Sequence, residues 1–357
     1  MLNIHTGYQL KPLNTMGIDG TVGTYVEWSS IVDLHSLFTG PDTSHIVSRS
    51  FKSIGSGSNI LFTRYRVDTP LLRCVNDTIT IDSETDTDVT LTVSAGCELD
   101  RLVDYTCYHG WWGLENLSLI PGTVGGATVQ NVGAYGVEFG NHVTAVTCYD
   151  TETDRVITIP VADMAYGYRD SALKHSPLSK RLIVTATTLR LSKTPMPVLT
   201  YGNLGRLLDD RDNSLSPVDV RDEVIRTRRS KLPDVDITGS AGSFFKNPVI
   251  TTAEYDIVLS NARRLGIDTT GMPAHPVTDP QSGTPLIKLS AAWLIDRSGW
   301  KGYRRWNVGT WPGQPLVLVN ITGYAAGIEI QTLAADIIAD IADKWGITLT
   351  PEVEYIS

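Results

Sequence analysis

Apolar residues recur at helical spacing in several stretches of the chain, and signals that begin or end a helix flank them. In the first stretch Ile31, Leu34 and Leu37 fall on one face, with Ser30 before it and Gly40 after it, as expected at helix ends. The same spacing predicts further helices over residues 99–106, 217–229, 255–265, 289–296 and 330–345.

Other stretches have the patterns of strands. Residues 89–93 alternate apolar and polar side chains, and apolar runs bounded by turn residues predict strands at 46–54, 182–191 and 316–319. Residues 143–160 are interpreted as a hairpin around a turn-rich centre. The patterns therefore predict both helices and strands along the chain.

Composition and charge limit the class of protein. At 357 residues, 41% apolar and 19% charged, the chain is expected to form two or three packed domains. Its net charge of −9 argues against general nucleic-acid binding but leaves room for a local basic pocket that holds an anionic metabolite. The four cysteines lack metal-type spacing and are interpreted as reduced thiols, so no metal is expected. The sequence shows no leader peptide and no membrane-spanning run, so a cytoplasmic protein without membrane insertion is predicted.

Glycine is concentrated in residues 113–138, which hold six glycines and almost no charge. Such composition suits a place where the backbone comes very close to another group. Gly122, Gly125 and Gly126 follow an apolar run. One interpretation is a loop whose bare N–H groups face an anion, and the other is a tight turn between core elements. The neighbouring polar residues Gln130 and Asn131 would need hydrogen-bond partners if buried, which favours the interpretation that this segment binds a ligand.

A second glycine-rich segment lies upstream at residues 55–59. It could form a phosphate-binding nest or an ordinary turn that ends a strand. Its spacing is not the six-residue glycine pattern of a dinucleotide fold. Two separated glycine loops fit an extended cofactor such as FAD better than a mononucleotide.

Four polar residues have structural interpretations from the sequence alone. Arg169 is expected to pair locally with Asp170. Ser243 offers a hydroxyl group and is expected to cap a buried turn. Lys231 ends a basic run that either stabilises a helix C-terminus or receives a diphosphate, and Glu352 could be a solvated tail carboxylate.

The residues of this chain resemble one family along nearly its whole length. Residues 121–138, PGTVGGATVQNVGAYGVE, resemble the flavin-binding signature of the UDP-N-acetylenolpyruvoylglucosamine reductase family. Residues 197–205, with Tyr201, resemble a segment that only the longer, type I form of this family carries. Further stretches agree in order and approximate spacing: residues 14–19, 55–59, 168–171, 231–234, 242–248 and 351–353.

The resemblance implies a fold and a division of the chain. The expected fold class is α+β, with a two-subdomain FAD-binding region of the vanillyl-alcohol-oxidase/PCMH-like type and a C-terminal α+β substrate-binding domain. FAD-binding subdomain 1 is expected at 1–69, subdomain 2 at 70–232 and the substrate-binding domain at 233–346. The tail 347–357 is a candidate addition to subdomain 1.

The resemblance also implies a reaction. NADPH would reduce non-covalently bound FAD, and hydride would then pass to the enolpyruvyl group of UDP-N-acetylglucosamine enolpyruvate, giving UDP-N-acetylmuramate for peptidoglycan synthesis. The expected partner is thus a small nucleotide-sugar substrate, with no obligate protein partner. Another FAD-dependent oxidoreductase or oxidase with the same two-loop domain is the alternative, since it would keep the glycine loops without Ser243 and Glu352.

The family's functional residues are carried over by position. Ser243 would donate the proton, Arg169 would hold the substrate carboxylate, and Glu352 would be the catalytic glutamate. The residues expected to bind FAD are Gly55, Ser56, Gly57, Ser58, Asn59, Pro121, Gly122, Thr123, Gly125, Gly126, Gln130, Asn131, Gly133, Ala134 and Tyr135. The residues expected to bind substrate are Tyr201, Lys231, Asn247, Lys301 and Gln314. Trp311 stands where the family frequently has histidine.

Overall fold

The structure is a computed structural model that describes residues 2–48, 50–200, 204–205, 215–279 and 282–357. The chain divides into two compact units. The first unit comprises Met1–Tyr8, Thr21–Gly57 and Val67–Arg229, and the second comprises Gln9–Gly20, Ser58–Arg66 and Ser230–Ser357. Among the described residues, no helix combines the length and apolar composition needed to cross a membrane.

Strands are numbered in chain order over the described residues. The strands up to residue 192 are β1 (Asn3–Gln9), β2 (Thr21–Trp28), β3 (Lys52–Ile54), β4 (Ile60–Phe62), β5 (Arg66–Val67), β6 (Leu71–Cys74), β7 (Ile79–Glu84), β8 (Asp88–Ser94), β9 (Gly133–Ala134), β10 (Val137–Glu138), β11 (Val143–Asp150), β12 (Arg155–Pro160) and β13 (Leu182–Ser192). The later strands are β14 (Gly239–Ser243), β15 (Val249–Ile250), β16 (Ala274–Thr278), β17 (Pro285–Leu289), β18 (Arg304–Arg305), β19 (Val308–Trp311), β20 (Gln314–Asn320) and β21 (Glu354–Ile356).

The α-helices of the described residues are numbered in the same way. They are α1 (Ile31–Thr39), α2 (Ser44–Val47), α3 (Leu99–Tyr108), α4 (Val124–Gln130), α5 (Leu178–Arg181), α6 (Pro217–Lys231), α7 (Thr252–Arg264), α8 (Ala291–Arg297) and α9 (Gly327–Trp345).

The first unit contains two five-stranded sheets. One has the order β1-β2-β6-β3 with β5 beside β2, and β2 and β3 both run parallel to β6. The other has the order β12-β11-β13-β8-β7 and is antiparallel throughout. Apolar residues of both sheets, α3 and α4 form one buried cluster. This shared core fixes the glycine-rich segment against the sheets.

The second unit is built from smaller sheets and longer helices. Strands β14-β20-β19-β18 form one antiparallel sheet, β15-β17-β16 form another, and β21 pairs in parallel with β4. The predicted stripe on the last helix is confirmed, because Ile330, Ile337 and Trp345 of α9 are fully buried. Gly346 ends this helix at a φ of 73°, which glycine adopts without strain.

Helix α1 shows how closely a local signal can predict an element. The Ser30 side chain accepts a hydrogen bond from the Asp33 N–H, and the Asp33 side chain accepts one from the Ser30 N–H. This reciprocal capping box satisfies N–H groups that the helix itself leaves unbonded. Leu34 and Leu37 are fully buried, as the spacing predicts.

We expect Ser30→Ala to destabilise the first unit by about 1 kcal/mol, because the Asp33 N–H loses its acceptor. Thermal unfolding followed by circular dichroism should show a melting temperature lower by a few degrees. Ser36→Ala is the matched control, since Ser36 is an exposed interior residue of the same helix. An equal loss in both variants would contradict a specific capping role.

The predicted strand over residues 46–54 is wrong in its first half. Residues 44–47 form α2, and only Lys52–Ile54 pair in the sheet as β3. The reason lies in the preceding turn, where the Thr43 hydroxyl donates to the Ser36 carbonyl and the Ser44 N–H donates to the Gly40 carbonyl. These bonds keep the chain curled beyond α1 and delay the strand.

Candidate functional site

In the first unit, residues 55–57 of the upstream glycine loop lie against the second glycine loop at Thr123. A Cβ atom added to Gly55 would stand 2.6 Å from the Thr123 hydroxyl oxygen. The Ser56 hydroxyl donates to the Glu98 carboxylate at 3.2 Å, and Glu98 forms a β-bridge with Thr123. Gly55 is therefore required for the close approach of the two loops.

The N–H groups after the second loop are not bare, which corrects one part of the sequence interpretation. Gly125 and Gly126 belong to the first turn of α4, and Thr123 caps this helix. The Val124 and Gly125 N–H groups donate to the carbonyls of Cys97 and Ala95, and the Gly126 N–H donates to the Thr123 hydroxyl. A phosphate held at this loop would need other donors.

Other donors of the first unit fit an anionic cofactor. Within the described residues, no hydrogen-bond partner is present for the N–H groups of Gly55, Ser56 and Gly57, and Gly57 is buried with a φ of 70°. The Arg228 Nε atom is also buried without a partner in that part of the chain. Burial lowers the pKa of Arg228, while nearby Tyr135 and Asp100 oppose that effect. Buried donors such as the Gly57 N–H and the Arg228 Nε normally have partners, so each of them could donate to an anionic group of a cofactor.

Asn131 and Gln130, at the end of α4, find their partners within the protein. Asn131 is buried at a φ of 46°, its amide donates to Glu138 and to the Gly167 carbonyl, and its oxygen accepts from the Gly140 N–H. The Gln130 side-chain oxygen accepts from the Lys174 ammonium at 2.7 Å. Their polarity, used as a sign of a ligand, thus has a structural explanation as well.

The remaining FAD-binding predictions of the first unit lie on the same glycine-rich segment. Pro121 is exposed and Gly122 has a φ of 138°. Gly133 and Ala134 form β9, which pairs with β10. The Tyr135 carbonyl accepts from the buried Asn116 amide at 2.8 Å, with Tyr135 at a φ of 50°.

Arg169 lies at a tight turn of the first unit. Gly167 and Asp170 exchange two backbone hydrogen bonds of 3.1 Å, so Tyr168 and Arg169 occupy the turn tip. Arg169 has a φ of 54°, a region that favours glycine. Its guanidinium donates to the Gly133 carbonyl, whereas Asp170 bonds His175. A non-glycine residue in this region has a conformational cost that its surroundings must offset.

In the second unit, a bulge in β14 directs Ser243 outward. The pairing of β14 with β20 shifts register between Ser240 and Ser243, where Gly242 has a φ of 69°. Bulges of this type change the direction of a side chain. Ser243 is exposed, whereas Phe244 and Phe245 are buried.

The same unit brings the backbone of Glu352 beside this serine segment. The Lys246 N–H donates to the Thr350 carbonyl at 2.9 Å, and the Glu352 N–H donates to the Phe244 carbonyl at 2.8 Å. The side-chain amide of Asn59 donates to the Glu352 carbonyl at 3.2 Å. Ser58 and Asn59, predicted to bind FAD, belong to this second unit. Two segments far apart in sequence thus form one ladder, and Glu352 lies at the end of it that adjoins Ser243.

The predicted substrate residues have varied surroundings. Asn247 accepts from the Ala291 N–H at 3.0 Å and so helps to cap α8. Lys301 is exposed and pairs with Asp296 at 3.2 Å. Lys231 is exposed at the end of α6, and its carbonyl abuts Gly313 beside Gln314. Tyr201 lies outside the described residues.

Comparisons with known proteins bear on this geometry. Residues 233–356 match the family "UDP-N-acetylenolpyruvoylglucosamine reductase, C-terminal domain", and residues 48–159 match "FAD binding domain". A UDP-N-acetylenolpyruvoylglucosamine reductase from Bacteroides fragilis is 36% identical over 98% of this chain and 99% of its own length. One from Pseudomonas putida is 37% identical over 96% of each chain.

The chain belongs to the UDP-N-acetylenolpyruvoylglucosamine reductase family. The family resemblance and the FAD-binding domain inferred from sequence are therefore confirmed. A solved structure of this reductase family, from Thermus caldophilus, is 21% identical, covers 100% of this chain and 99% of its own, and has a TM-score of 0.66. That likeness confirms the fold class, α+β with an FAD-binding region and a C-terminal domain.

Sequence reasoning missed several residues that organise the first-unit site of this reductase. Lys174 reaches Gln130, the buried Ser171 hydroxyl donates to the Val129 carbonyl at 2.7 Å, and Asn116 supports Tyr135. Lys174 lies only five positions after Arg169, but nothing in its local pattern indicates which way it points.

Proposed function

We propose that this chain reduces UDP-N-acetylglucosamine enolpyruvate to UDP-N-acetylmuramate, with NADPH as electron donor, in cytoplasmic peptidoglycan precursor synthesis. The observation that supports the proposal is the ladder between residues 244–246 and 350–352, which brings the backbone of Glu352 beside the segment that follows Ser243 in the second unit.

FAD would be held by the first-unit loops, with Gly55, Ser56 and Gly57 offering N–H groups that have no partner among the described residues, and Arg228 a positive charge. Thr123 and Gly125 would shape the adjoining surface. When bound, FAD supplies the means of moving a hydride from NADPH to the enolpyruvyl double bond. Ser58, Asn59, Pro121, Gly122, Gly126, Gln130, Asn131, Gly133, Ala134 and Tyr135 complete the proposed set.

The side chains of the protein would manage the charge that develops on the substrate. Addition of hydride to the double bond places negative charge on the neighbouring carbon and its carboxylate, and donors aimed there lower the barrier. Arg169 would bind the carboxylate through its planar fork. Glu352 would orient the same group and polarise it.

Ser243 would complete the reaction by giving its hydroxyl proton to the carbon beside the carboxylate. Proton donation requires the hydroxyl to come within hydrogen-bond reach of that carbon, and the bulge at Gly242 leaves the Ser243 side chain exposed for this contact. The exposed cations Lys231 and Lys301 would bind the nucleotide diphosphate and sugar. Tyr201, Asn247 and Gln314 would contact the same substrate.

The visible absorption spectrum of the purified protein tests this function directly. We expect flavin bands that bleach when NADPH is added without oxygen, and that return when UDP-N-acetylglucosamine enolpyruvate follows. UDP-N-acetylglucosamine, which lacks the enolpyruvyl group, is the matched control and should leave the flavin bleached. If the protein binds FAD but the enolpyruvyl compound does not reoxidise the reduced flavin, the proposal is wrong.

A further inference from the structure

Lys174 connects two predicted functional segments of the first unit. Its ammonium donates to the Gln130 side-chain oxygen at 2.7 Å and to the Arg169 carbonyl at 3.0 Å. Gln130 is the last residue of α4, on the glycine-rich segment, and Arg169 lies at the tip of the turn closed by Gly167 and Asp170. One half-buried side chain therefore joins the proposed cofactor segment to the proposed carboxylate-binding residue.

The peptide that Lys174 holds is a strained one. Arg169 has a φ of 54°, and a non-glycine residue in this region has a conformational cost that its surroundings must offset. The ammonium fixes the carbonyl of this residue, while the Arg169 guanidinium donates to the Gly133 carbonyl. Hydrogen bonds thus hold both the backbone carbonyl and the guanidinium group of Arg169.

A neighbouring contact supports the same segment independently. The Ser171 hydroxyl, on a residue that is only 1% exposed, donates to the Val129 carbonyl at 2.7 Å. Ser171 and Lys174 therefore both bond the last turn of α4, and Lys174 also bonds the Arg169 carbonyl directly. Hydrogen bonds from a charged donor are the stronger class.

We propose that Lys174 is a positioning residue that holds Arg169 in its active conformation and aligns it with Gln130. This inference rests on the proposed function, since it assigns Lys174 a role through Arg169. Lys174 would neither donate a proton nor touch the reacting carbon. Its effect would be on binding and turnover of the enolpyruvyl substrate and not on oxidation of NADPH.

Lys174→Met in the FAD-loaded enzyme tests the proposal. We expect reoxidation of the flavin by the enolpyruvyl substrate to slow by roughly 10- to 100-fold, because a charge-assisted hydrogen bond is lost. Bleaching by NADPH should keep its wild-type rate. The Kd of the enolpyruvyl substrate, measured without NADPH from its perturbation of the flavin spectrum, should rise, and Lys174→Arg should restore much of both losses.

Two controls separate positioning from general support of the fold. Lys180→Met removes an exposed lysine of nearby α5 and should match the wild type in every measurement. In a double-mutant comparison, adding Lys174→Met to Arg169→Lys should cause little further loss, because the two residues act as one unit. The melting temperature and the FAD affinity of the apoprotein are measured for each variant.

Three outcomes would overturn the inference. The first is that Lys174→Met keeps the wild-type rate of flavin reoxidation and the wild-type substrate affinity. The second is that the losses of the two single variants multiply fully in the double variant. Equal losses in NADPH oxidation, FAD affinity and melting temperature would indicate structural support alone. Failure of the proposed function is distinguishable, because then the wild-type enzyme itself would not be reoxidised, and the role of Lys174 would fall with it.

Discussion

Ser243→Ala should leave the flavin of this enzyme reducible by NADPH but slow its reoxidation by the enolpyruvyl substrate about 10²- to 10⁴-fold, the usual range for losing a general acid. The reason is local. Ser243 is exposed at the end of β14, and its removal leaves the Phe244 and Phe245 core intact. Stopped-flow absorbance of the flavin bands, with NADPH and substrate added in turn, measures the two steps separately.

Ser260→Ala serves as the control for this experiment, because Ser260 is exposed on α7 and has no proposed role. It should match the wild type in both steps. Product analysis in deuterated water adds a second readout, since the proton delivered to the substrate carbon becomes deuterium. Reoxidation of Ser243→Ala within a few-fold of the wild-type rate would remove Ser243 from the mechanism.

Glu352→Gln should produce a comparable loss of reoxidation, about 10²-fold or more. Glutamine keeps the shape of the side chain but lacks its charge, and the backbone bonds of residue 352 to Phe244 and Asn59 do not depend on the side chain. The melting temperature and the NADPH step should therefore stay at wild-type values. The measurement is the same sequential stopped-flow experiment.

Glu354→Gln provides the matched comparison for the second variant. Glu354 is an exposed carboxylate two positions further along the tail, on β21. If both variants lose reoxidation equally, the tail matters as a structural element and the specific role of Glu352 is wrong. If Glu352→Gln alone is impaired, the carboxylate itself takes part.

Local patterns in the sequence predict much of the fold. Helix α1 follows from Ser30, Gly40 and its apolar face, and α9 follows from a long apolar stripe ended by Gly346. The hairpin of β11 and β12 follows from its turn-rich centre. In each case the deciding interactions lie within a few residues along the chain, where spacing carries the information.

The elements that were missed depend on distant contacts. Helix α4 contains Gly125 and Gly126, residues of low helix propensity. It forms because Thr123 caps it and because Ala95 and Cys97 accept its first N–H groups. A Cβ at Gly125 would stand 2.9 Å from the Ala95 Cβ, so glycine is needed for packing there. No local pattern shows that requirement.

In the candidate site, too, some features could be predicted from the sequence and others depend on distant contacts. Ser243, Glu352 and Arg169 were selected by family resemblance, because their own surroundings in the sequence favoured ordinary structural roles. The structure adds the ladder beside Ser243 and the turn at Arg169. Lys174 could not be foreseen, since its bond to Gln130 spans 44 positions. Roles for these residues stay predictions that the variants above test.

The ladder between residues 244–246 and 350–352 also has a kinetic consequence. Its two strands are separated by about a hundred residues, all belonging to the second unit. Joining such distant segments requires closure of a long loop, which costs conformational entropy. Contacts between residues far apart in sequence therefore form slowly during folding. During refolding from denaturant, the protein should therefore recover secondary structure before it recovers turnover, so that enzymatic competence marks the last stage of assembly.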